Sequence, residues 1–234
     1  MNIKIIYSPK QSVQENDSFS KSAGKPALFV KACVESKLPI EIVEPKPASL
    51  DDFALAHDRE WAQKVLRAEL PNGFGNFSKE IAASLPFTTG AIVDGTIEAA
   101  RTRMPVVAAS SSHHHAGFAF NGNFCSLNGL IVAAQKVKQA GLAKRVSLID
   151  LDQHDPNGSR DIIERLNLNF IAHYGFGEHD ITQDKVEQWL KDLPEIIRSM
   201  KADVLIAQLA ADAFEKDPLS FSKLTLAQLK RRDR

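Results

Sequence analysis

The alternation of short apolar strands with amphipathic helices constrains the fold of this chain more than any other feature. Residues 145–152 carry an unbroken Val-Ser-Leu-Ile core, which is typical of a strand buried on both faces of a parallel sheet. Parallel neighbours need crossover connections, and helical patterns separate most of the predicted strands. The sequence therefore predicts an α/β fold with a doubly wound, mostly parallel sheet.

Apolar spacing and turn residues place the individual elements. The predicted strands are residues 3–7, 40–43, 105–109, 145–152, 169–174 and 203–209. The predicted helices are residues 27–36, 50–66, 91–101, 127–139, 182–200 and 224–234, with Thr182 as the N-terminal cap of the fifth. No internal repeat or linker interrupts this order, so residues 1–234 are expected to form a single domain.

Composition excludes several classes of partner. The 234 residues carry 29 basic and 29 acidic side chains, so no net field attracts nucleic acid or an anionic membrane. No apolar run reaches the ~20 residues of a membrane helix, and no signal peptide is expected before the first strand. Cys33 and Cys125 give no disulfide framework and favour a reducing compartment, so a cytoplasmic location is expected.

Polar side chains gather at the ends of the predicted strands. His114 and His115 follow the third strand, Asp152 and His154 follow the fourth, and Asp212 follows the sixth. Open α/β sheets bind ligands at the carboxyl edge of their strands, where distant chain segments converge. We therefore expect these side chains to share one rim, where two neighbouring histidines beside a metal can move protons.

The residue types at this rim are those of a metal site. Asp152 and Asp212 offer oxygen atoms and His154 offers a nitrogen, a set that holds one divalent metal with a position open for water. Asp150 alternates with Asp152 and is expected on the same side of the strand. Two other interpretations stay open from the residues alone. Asp150 and Asp152 could instead cap the next helix or accept backbone hydrogen bonds, and residues 113–115 could form a polar turn without a role.

Four short motifs, in order along the chain, resemble those of one family. The family's His-His-Ala corresponds to residues 114–116, and its Gly-Phe-Cys-x-x-Asn to residues 123–128, with Asn123 in place of the glycine. Its Asp-x-Asp-x-His-x-Gly-Asn-Gly-Thr corresponds to residues 150–159, and its Gly-Ala-Asp-x-x-x-x-Asp-Pro-Leu to residues 210–219. On these motifs the chain resembles the zinc-dependent histone deacetylase family of the arginase–deacetylase superfamily. It is most similar to bacterial deacetylase-like members, including acetylpolyamine amidohydrolases.

The resemblance implies the roles of the residues around the metal. Asp152, His154 and Asp212 would be the ligands of one Zn²⁺ ion. His114 would face the water that the metal activates, and Asp150 would be the carboxylate partner of that histidine. A histidine in this place takes a proton as the water attacks an amide carbonyl.

The resemblance also implies the surroundings of the site and the architecture. His115 would be the second histidine, with its outer nitrogen near Asn157. Phe124 would form one wall of a narrow tunnel for an acyl-lysine-like chain, and Phe176 would form the opposite wall. The expected architecture is the three-layer α/β fold of arginases and deacetylases.

The chain departs from the family's pattern near its end. In the family a tyrosine in a glycine-rich segment follows the third ligand, whereas the tyrosines of this sequence are Tyr7 and Tyr174, outside any such segment. We therefore expect a C-terminally incomplete domain that lacks the last core strand and the polarising tyrosine. Such a domain is expected to turn over weakly or not at all, and to aggregate through unpaired strand edges.

Three functions are compatible with these residues. The first is zinc-dependent removal of an acetyl or similar acyl group from an amine, such as an acetyl-lysine peptide or an acetylpolyamine. A ureohydrolase would need two metals, and positions 210 and 214 carry no aspartate to hold a second one. A non-catalytic zinc-binding or interaction module is the alternative from another class. Direct nucleic-acid or membrane partners are not expected, and a homo-oligomer is left open.

Overall fold

The structure of the protein, a computed structural model, describes residues 2–14, 18–111 and 113–234. The strands are β1 (Ile3–Ile6), β2 (Ile40–Val43), β3 (Val106–Ala108), β4 (Val146–Asp150), β5 (Ile171–Gly175) and β6 (Val204–Gln208). The helices are α1 (Lys25–Glu35), α2 (Leu50–Phe53), α3 (Arg59–Leu66), α4 (Lys79–Thr102), α5 (Gly129–Gln139), α6 (Asn157–Arg165), α7 (Val186–Ser199) and α8 (Leu226–Arg232). Every predicted strand is present, close to its predicted bounds.

The chain divides into two compact units. The first unit comprises Met1–Ala143 and Asn157–Leu168, and the second comprises Lys144–Pro156 and Asn169–Arg234. The chain therefore passes from the first unit into the second, returns to the first for α6, and then enters the second again. The expectation of a single domain over residues 1–234 stays a prediction.

The first unit is built on a three-stranded parallel sheet in the order β2-β1-β3. Successive residues of β1 point to opposite faces of the sheet. Ile5 packs with Val30 and Cys33 of α1, whereas Ile6 lies near Gly95 of α4. Helices therefore cover both faces of β1. The strand β3 is only half-buried, although its apolar run predicts a buried strand.

The second unit is built on another three-stranded parallel sheet, in the order β5-β4-β6. All the residues of β4 are buried, as its unbroken apolar core predicts. The amphipathic helix α7 contributes Trp189, Leu190 and Leu193 to an apolar cluster that also contains Ile149 of β4. Because Ile149 directly precedes Asp150, this cluster fixes the end of the strand that carries the predicted site.

One predicted helix, residues 50–66, is two helices in the structure, so that prediction is wrong. The short helix α2 ends at Phe53, and α3 starts again after Asp58. The side chain of Asp58 accepts the backbone N–H of Trp61 and caps a new helix there. The apolar spacing continues across the break, which is why spacing alone predicts one helix.

Two other helices differ from the sequence-based expectation. The helix α4 begins at Lys79 rather than at residue 91, and Pro86 lies inside it. Proline disfavours a helix interior, but α4 packs on α5, β1 and β3, and this packing outweighs the local cost. The helix α6 is not predicted, because its buried face includes small residues such as Gly158 and gives no long apolar stripe.

The start of α7 also differs from the prediction. The helix begins at Val186 rather than at Thr182. The hydroxyl of Thr182 donates to the carboxylate of Asp184 at 2.6 Å and does not cap the helix. Polar residues before an apolar stripe therefore mark the region of the helix start but not its first residue.

The observed elements confirm the predicted α/β class. Both sheets are parallel, and helices alternate with strands along most of the chain. Within the described ranges, no helix is both long and apolar enough to cross a membrane.

Candidate active site

The chain leaves the end of β4 in two successive turns that are closed by side chains. Asp150 accepts the N–H of Asp152 on Oδ1 at 3.0 Å, and Asp152 accepts the N–H of His154 on Oδ1 at 2.9 Å. Aspartate favours such turns because its short side chain reaches the backbone two residues ahead. The strand therefore ends at Asp150, and the strict alternation expected through Asp152 stops there.

These turns bring three potential metal ligands together. Nδ1 of His154 lies 2.9 Å from Oδ1 of Asp152 and 2.8 Å from Oδ2 of Asp212. One ligand atom from each of these residues lies within 4.8 Å of the other two. Asp212 reaches the cluster from the loop after β6, so side chains from two neighbouring strand ends converge.

The two carboxylates of this cluster attract a cation. Hydrogen bonds with Asp152 and Asp212 raise the pKa of His154 to about 10, so the ring holds a proton between the carboxylates. Burial raises the pKa of the Asp212 carboxyl group, and the nearby Asp152 carboxylate adds to that effect. A divalent metal would take the place of the proton and neutralise both carboxylates. The oxygen and nitrogen donors present fit Zn²⁺.

Asp150 is buried, and neighbours within the second unit donate hydrogen bonds to its carboxylate. Its side chain is only 1% exposed. The side-chain amide of Gln208, at the end of β6, donates to both carboxylate oxygens at 3.1 Å, in addition to the N–H of Asp152. These donors offset the cost of burying a carboxylate. The role of Asp150 as the partner of His114 stays a prediction.

The tandem histidines lie in the first unit, next to the start of α6. The rings of His114 and His115 are 4.0 Å apart between centroids. Nδ1 of His115 donates to Oδ1 of Asn157 at 2.6 Å, and the carbonyl of His114 accepts the N–H of Ser159 at 2.9 Å. A side chain at Gly158 would collide with the backbone of His115, since its Cβ would lie 2.4 Å from the carbonyl carbon. The glycine therefore permits the close approach of α6.

A buried network that the sequence does not reveal supports the backbone after the histidine pair. His57 donates from Nδ1 to the carbonyl of Gly117 and accepts the N–H of Asn128 on Nε2, both at 2.8 Å. The side-chain amide of Asn128 donates to the carbonyl of Ala116 at 3.1 Å and to the hydroxyl of Ser159 at 3.0 Å. Asn128 belongs to the motif at residues 123–128, so the sequence points to it. His57 lies in no motif, so the sequence does not indicate its structural role.

Phe124 lies in a strained turn of the first unit. Asn123 has φ 47° and Phe124 has φ 68°, both in the left-handed region. Asparagine tolerates this region better than other non-glycine residues, which explains how it replaces the family's glycine. The ring of Phe124 packs against Phe74 at 5.7 Å between centroids, and both rings line a small cavity with His113. The sequence predicts Phe124 at the site but misses Phe74.

The structure places Phe176 in the core of the second unit. Its side chain is 1% exposed, and its ring packs against Trp189 at 4.6 Å between centroids. The same apolar cluster contains Ile149 and Leu151. Its surroundings within the second unit are thus those of a core residue, and its role as a tunnel wall stays a prediction.

The predicted site residues divide between the two units. The first unit holds His114, His115, Phe124 and Asn157, and the second holds Asp150, Asp152, His154, Phe176 and Asp212. Within the first unit the structure brings His115 and Asn157 together, as expected. Within the second it brings the three metal-ligand candidates together. Any role in which a residue of the first unit acts together with a residue of the second unit stays a prediction.

The fold and the cluster define the class of protein. It is an α/β protein with a candidate metal site at the carboxyl ends of parallel strands. The family model described as "Histone deacetylase domain" matches residues 21–175, which is more than half of the chain. The chain therefore belongs to the histone deacetylase family. Asp212 lies beyond the matched residues, so its place in the cluster depends on the geometry.

Known relatives are similar to this chain in sequence, and solved structures share its fold. Acetylpolyamine amidohydrolase of Mycoplana ramosa is 30% identical over 141 residues, which cover 48% of this chain and 41% of that relative. The HDA15 HD domain has a TM-score of 0.79 at 16% identity, covering 97% of this chain and 78% of that one. Acetylpolyamine aminohydrolase from Burkholderia pseudomallei has a TM-score of 0.72 at 18% identity, covering 96% of this chain and 86% of that one. The chain thus has the three-layer α/β fold of this superfamily, although it spans less than half the length of the Mycoplana relative.

Proposed function

We propose that this protein is a zinc-dependent amidohydrolase that removes an acetyl or similar acyl group from an amine. The observation that carries the proposal is the cluster of Asp152, His154 and Asp212 at two strand ends of a histone deacetylase family member. The proposed substrates are an acetyl-lysine peptide or an acetylpolyamine, since the Mycoplana relative is named for the latter.

The metal-binding side chains have defined parts in this proposal. When bound, Zn²⁺ supplies Lewis acidity and lowers the pKa of its water toward ~7. Asp152 and Asp212 each offer one carboxylate oxygen, and His154 offers Nδ1. Because Nδ1 of His154 carries a proton in the absence of metal, metal binding releases a proton from this ring.

The histidine pair handles protons in this proposal. His115 donates from Nδ1 to Oδ1 of Asn157, which fixes its tautomer and puts the ring's lone pair on Nε2. His114 is buried and its ring packs against that of His115 at an angle of 52°, so the ring has a restricted orientation. We assign to His114 the proton taken from the attacking water. The lone pair on Nε2 lets His115 receive that proton and pass it on to the leaving amine.

The aromatic pair provides the apolar part of the proposed substrate site. Phe124 and Phe74 pack together, with their rings tilted by 46°, and both line the small cavity. The methylene stem of a lysine or a polyamine is apolar, and contact with an aromatic wall removes both surfaces from water. In this proposal Phe74 takes the place expected for Phe176.

The test is zinc content and hydrolysis measured on the same samples. The wild-type protein is expected to bind one zinc ion per chain and to hydrolyse an acetyl-lysine peptide or an acetylated polyamine, with the weak turnover that the sequence predicts. Asp212→Ala is expected to lose stoichiometric zinc, because the cluster loses one of its two carboxylates. Asp192→Ala is the matched control, because Asp192 is an exposed aspartate of α7 in the same unit.

The outcomes separate the competing functions. Full zinc occupancy in Asp212→Ala would contradict the ligand assignment. Stoichiometric zinc without hydrolysis of either substrate would favour a non-catalytic zinc-binding module and overturn the proposed activity. Two metals per chain would favour a ureohydrolase, although the described residues form one candidate cluster of three ligands.

A further inference from the structure

Gln153 is a polar side chain that lies between two proposed metal ligands and is nevertheless completely buried. Its exposed fraction is 0%. The amide nitrogen donates to the carbonyl of Leu219 at 2.8 Å. The amide oxygen accepts the N–H of Phe221 at 2.9 Å and the N–H of Ser222 at 3.3 Å. The side chain thus bonds the loop after β4 to residues 219–222.

Residues 213–224 connect these bonds to the third proposed ligand. The N–H of Leu224 and the hydroxyl of Ser220 both donate to the carbonyl of Ala213, at 2.8 and 3.0 Å. The N–H of Glu215 donates to the carbonyl of Leu224 at 2.8 Å. The loop therefore closes on Ala213, the residue that directly follows Asp212. The backbone N–H of Gln153 also approaches Oδ1 of Asp212 at 3.3 Å.

A second buried group holds the same loop from α8. Nη1 of Arg232 donates to the carbonyl of Leu151 at 3.2 Å, and the side chain of Arg232 is 3% exposed. The residues on both sides of Asp152 are thus bonded to the chain that follows Asp212, Leu151 through its carbonyl and Gln153 through its side chain. Burying an amide and a guanidinium is costly unless each has partners, and here both do.

We propose that Gln153 is a positioning residue of the metal site. Its amide fixes His154 relative to Asp212 by joining the loop after β4 to the loop that closes on Ala213. An apolar side chain could fill the same volume, but it could not set the spacing of the two loops through directed bonds. This inference rests on the proposed function, because it takes Asp152, His154 and Asp212 as the ligands.

The test is the zinc affinity of Gln153→Met, measured by competition with a chromophoric chelator. Methionine keeps the length of the side chain and removes all its hydrogen bonds. The loss of a group that orients ligands typically weakens metal binding by about 10- to 100-fold, and we expect a loss in that range. The absorption bands of the Co²⁺-loaded protein should also shift, because they report ligand geometry.

Gln135→Met is the matched control. The side-chain amide of Gln135, on α5 in the first unit, donates to the carbonyl of Leu55 at 3.1 Å. Its replacement should lower the thermal midpoint of the metal-free protein but leave the zinc affinity and the Co²⁺ spectrum unchanged. This comparison separates a positioning role from a general loss of stability.

Each outcome decides the inference. Unchanged zinc affinity and an unchanged Co²⁺ spectrum in Gln153→Met would overturn the positioning role while leaving the proposed function intact. A wild-type protein that binds no zinc would overturn the proposed function, and the inference with it. If Gln153→Met does not fold, Gln153→Asn keeps the amide but is one methylene too short to reach the same partners. It should weaken zinc binding as well, and wild-type affinity in that variant would contradict the proposal.

Discussion

The imidazole of His57 is a buried base that the fold keeps neutral. Burial lowers the pKa of His57 to about 4, and burial lowers the pKa of His113 to about 4 as well. The hydrogen bonds of His57 need the neutral ring, because Nε2 accepts the N–H of Asn128. A proton on Nε2 would break this bond and place a charge in the core.

These pKa values predict that acid weakens the fold. Between pH 6.5 and pH 4 the unfolded chain binds protons on His57 and His113 that the folded protein refuses, so stability falls as the pH falls through this range. Each histidine should cost about 2 kcal/mol of unfolding free energy between pH 7 and pH 5. Denaturant unfolding at the two pH values measures this loss. In His57→Gln, which keeps a donor and an acceptor without titrating, the pH dependence should be shallower. An equal slope in the variant would show that His57 does not titrate as described.

His114 gives a second prediction at the scale of single residues. In the proposed mechanism it moves protons and does not bind the metal. His114→Ala should therefore lower turnover by at least ~100-fold, the usual contribution of a general base. Its zinc content should remain that of the wild type. Turnover within a small factor of the wild type would contradict this assignment, and loss of zinc would make His114 a ligand.

At the scale of elements, the sequence predicts strands better than helix boundaries. Each strand is short and apolar, and its pattern is visible in a few residues. The break between α2 and α3 depends on which of several aspartates caps a helix, and Asp58 does so through one bond to Trp61. The length of α4 depends on tertiary packing that outweighs Pro86. Local pattern carries neither kind of information.

The residues of the candidate site also differ in how well the sequence predicts them. Asp152, His154 and Asp212 can be predicted because their residue types and strand-end positions carry the chemistry. Gln153 and His57 cannot, because a polar residue in a loop looks solvent-exposed until its buried partners are known. Sequence therefore indicates the ligands, whereas the groups that orient them emerge from the three-dimensional contacts.

Two glycines of α4 provide a prediction at the scale of elements. A Cβ at Gly90 would lie 1.9 Å from the carbonyl oxygen of Lys46, whereas a Cβ at Gly95 would meet side chains no closer than 3.6 Å. Gly90→Ala should destabilise the protein by at least ~1–3 kcal/mol through this overlap. Gly95→Ala should be neutral or stabilising by up to ~1 kcal/mol, because alanine favours a helix more than glycine does. Denaturant unfolding of both variants tests the packing, and equal effects would contradict the close approach at Gly90.

At the scale of the whole molecule, the path of the chain bears on how the two units unfold. The second unit is made of two chain segments, and α6 of the first unit lies between them in sequence. The chain crosses between the units several times. Unfolding one unit therefore affects the ends of the chain segments that belong to the other unit. We therefore still expect residues 1–234 to unfold cooperatively as a single domain, although all three proposed zinc ligands lie in the second unit.

Zinc-dependent hydrogen exchange tests this cooperativity. A ligand present at about 100 times its dissociation constant stabilises the folded state by about 2.7 kcal/mol, which slows exchange through global unfolding roughly 100-fold. If the chain unfolds as one domain, zinc should slow the most protected amides of α5 in the first unit and of β4 in the second by the same factor. Asp212→Ala should abolish both effects. Slowing confined to Lys144–Pro156 and Asn169–Arg234 would show instead that the second unit opens independently, and the single-domain expectation would be wrong.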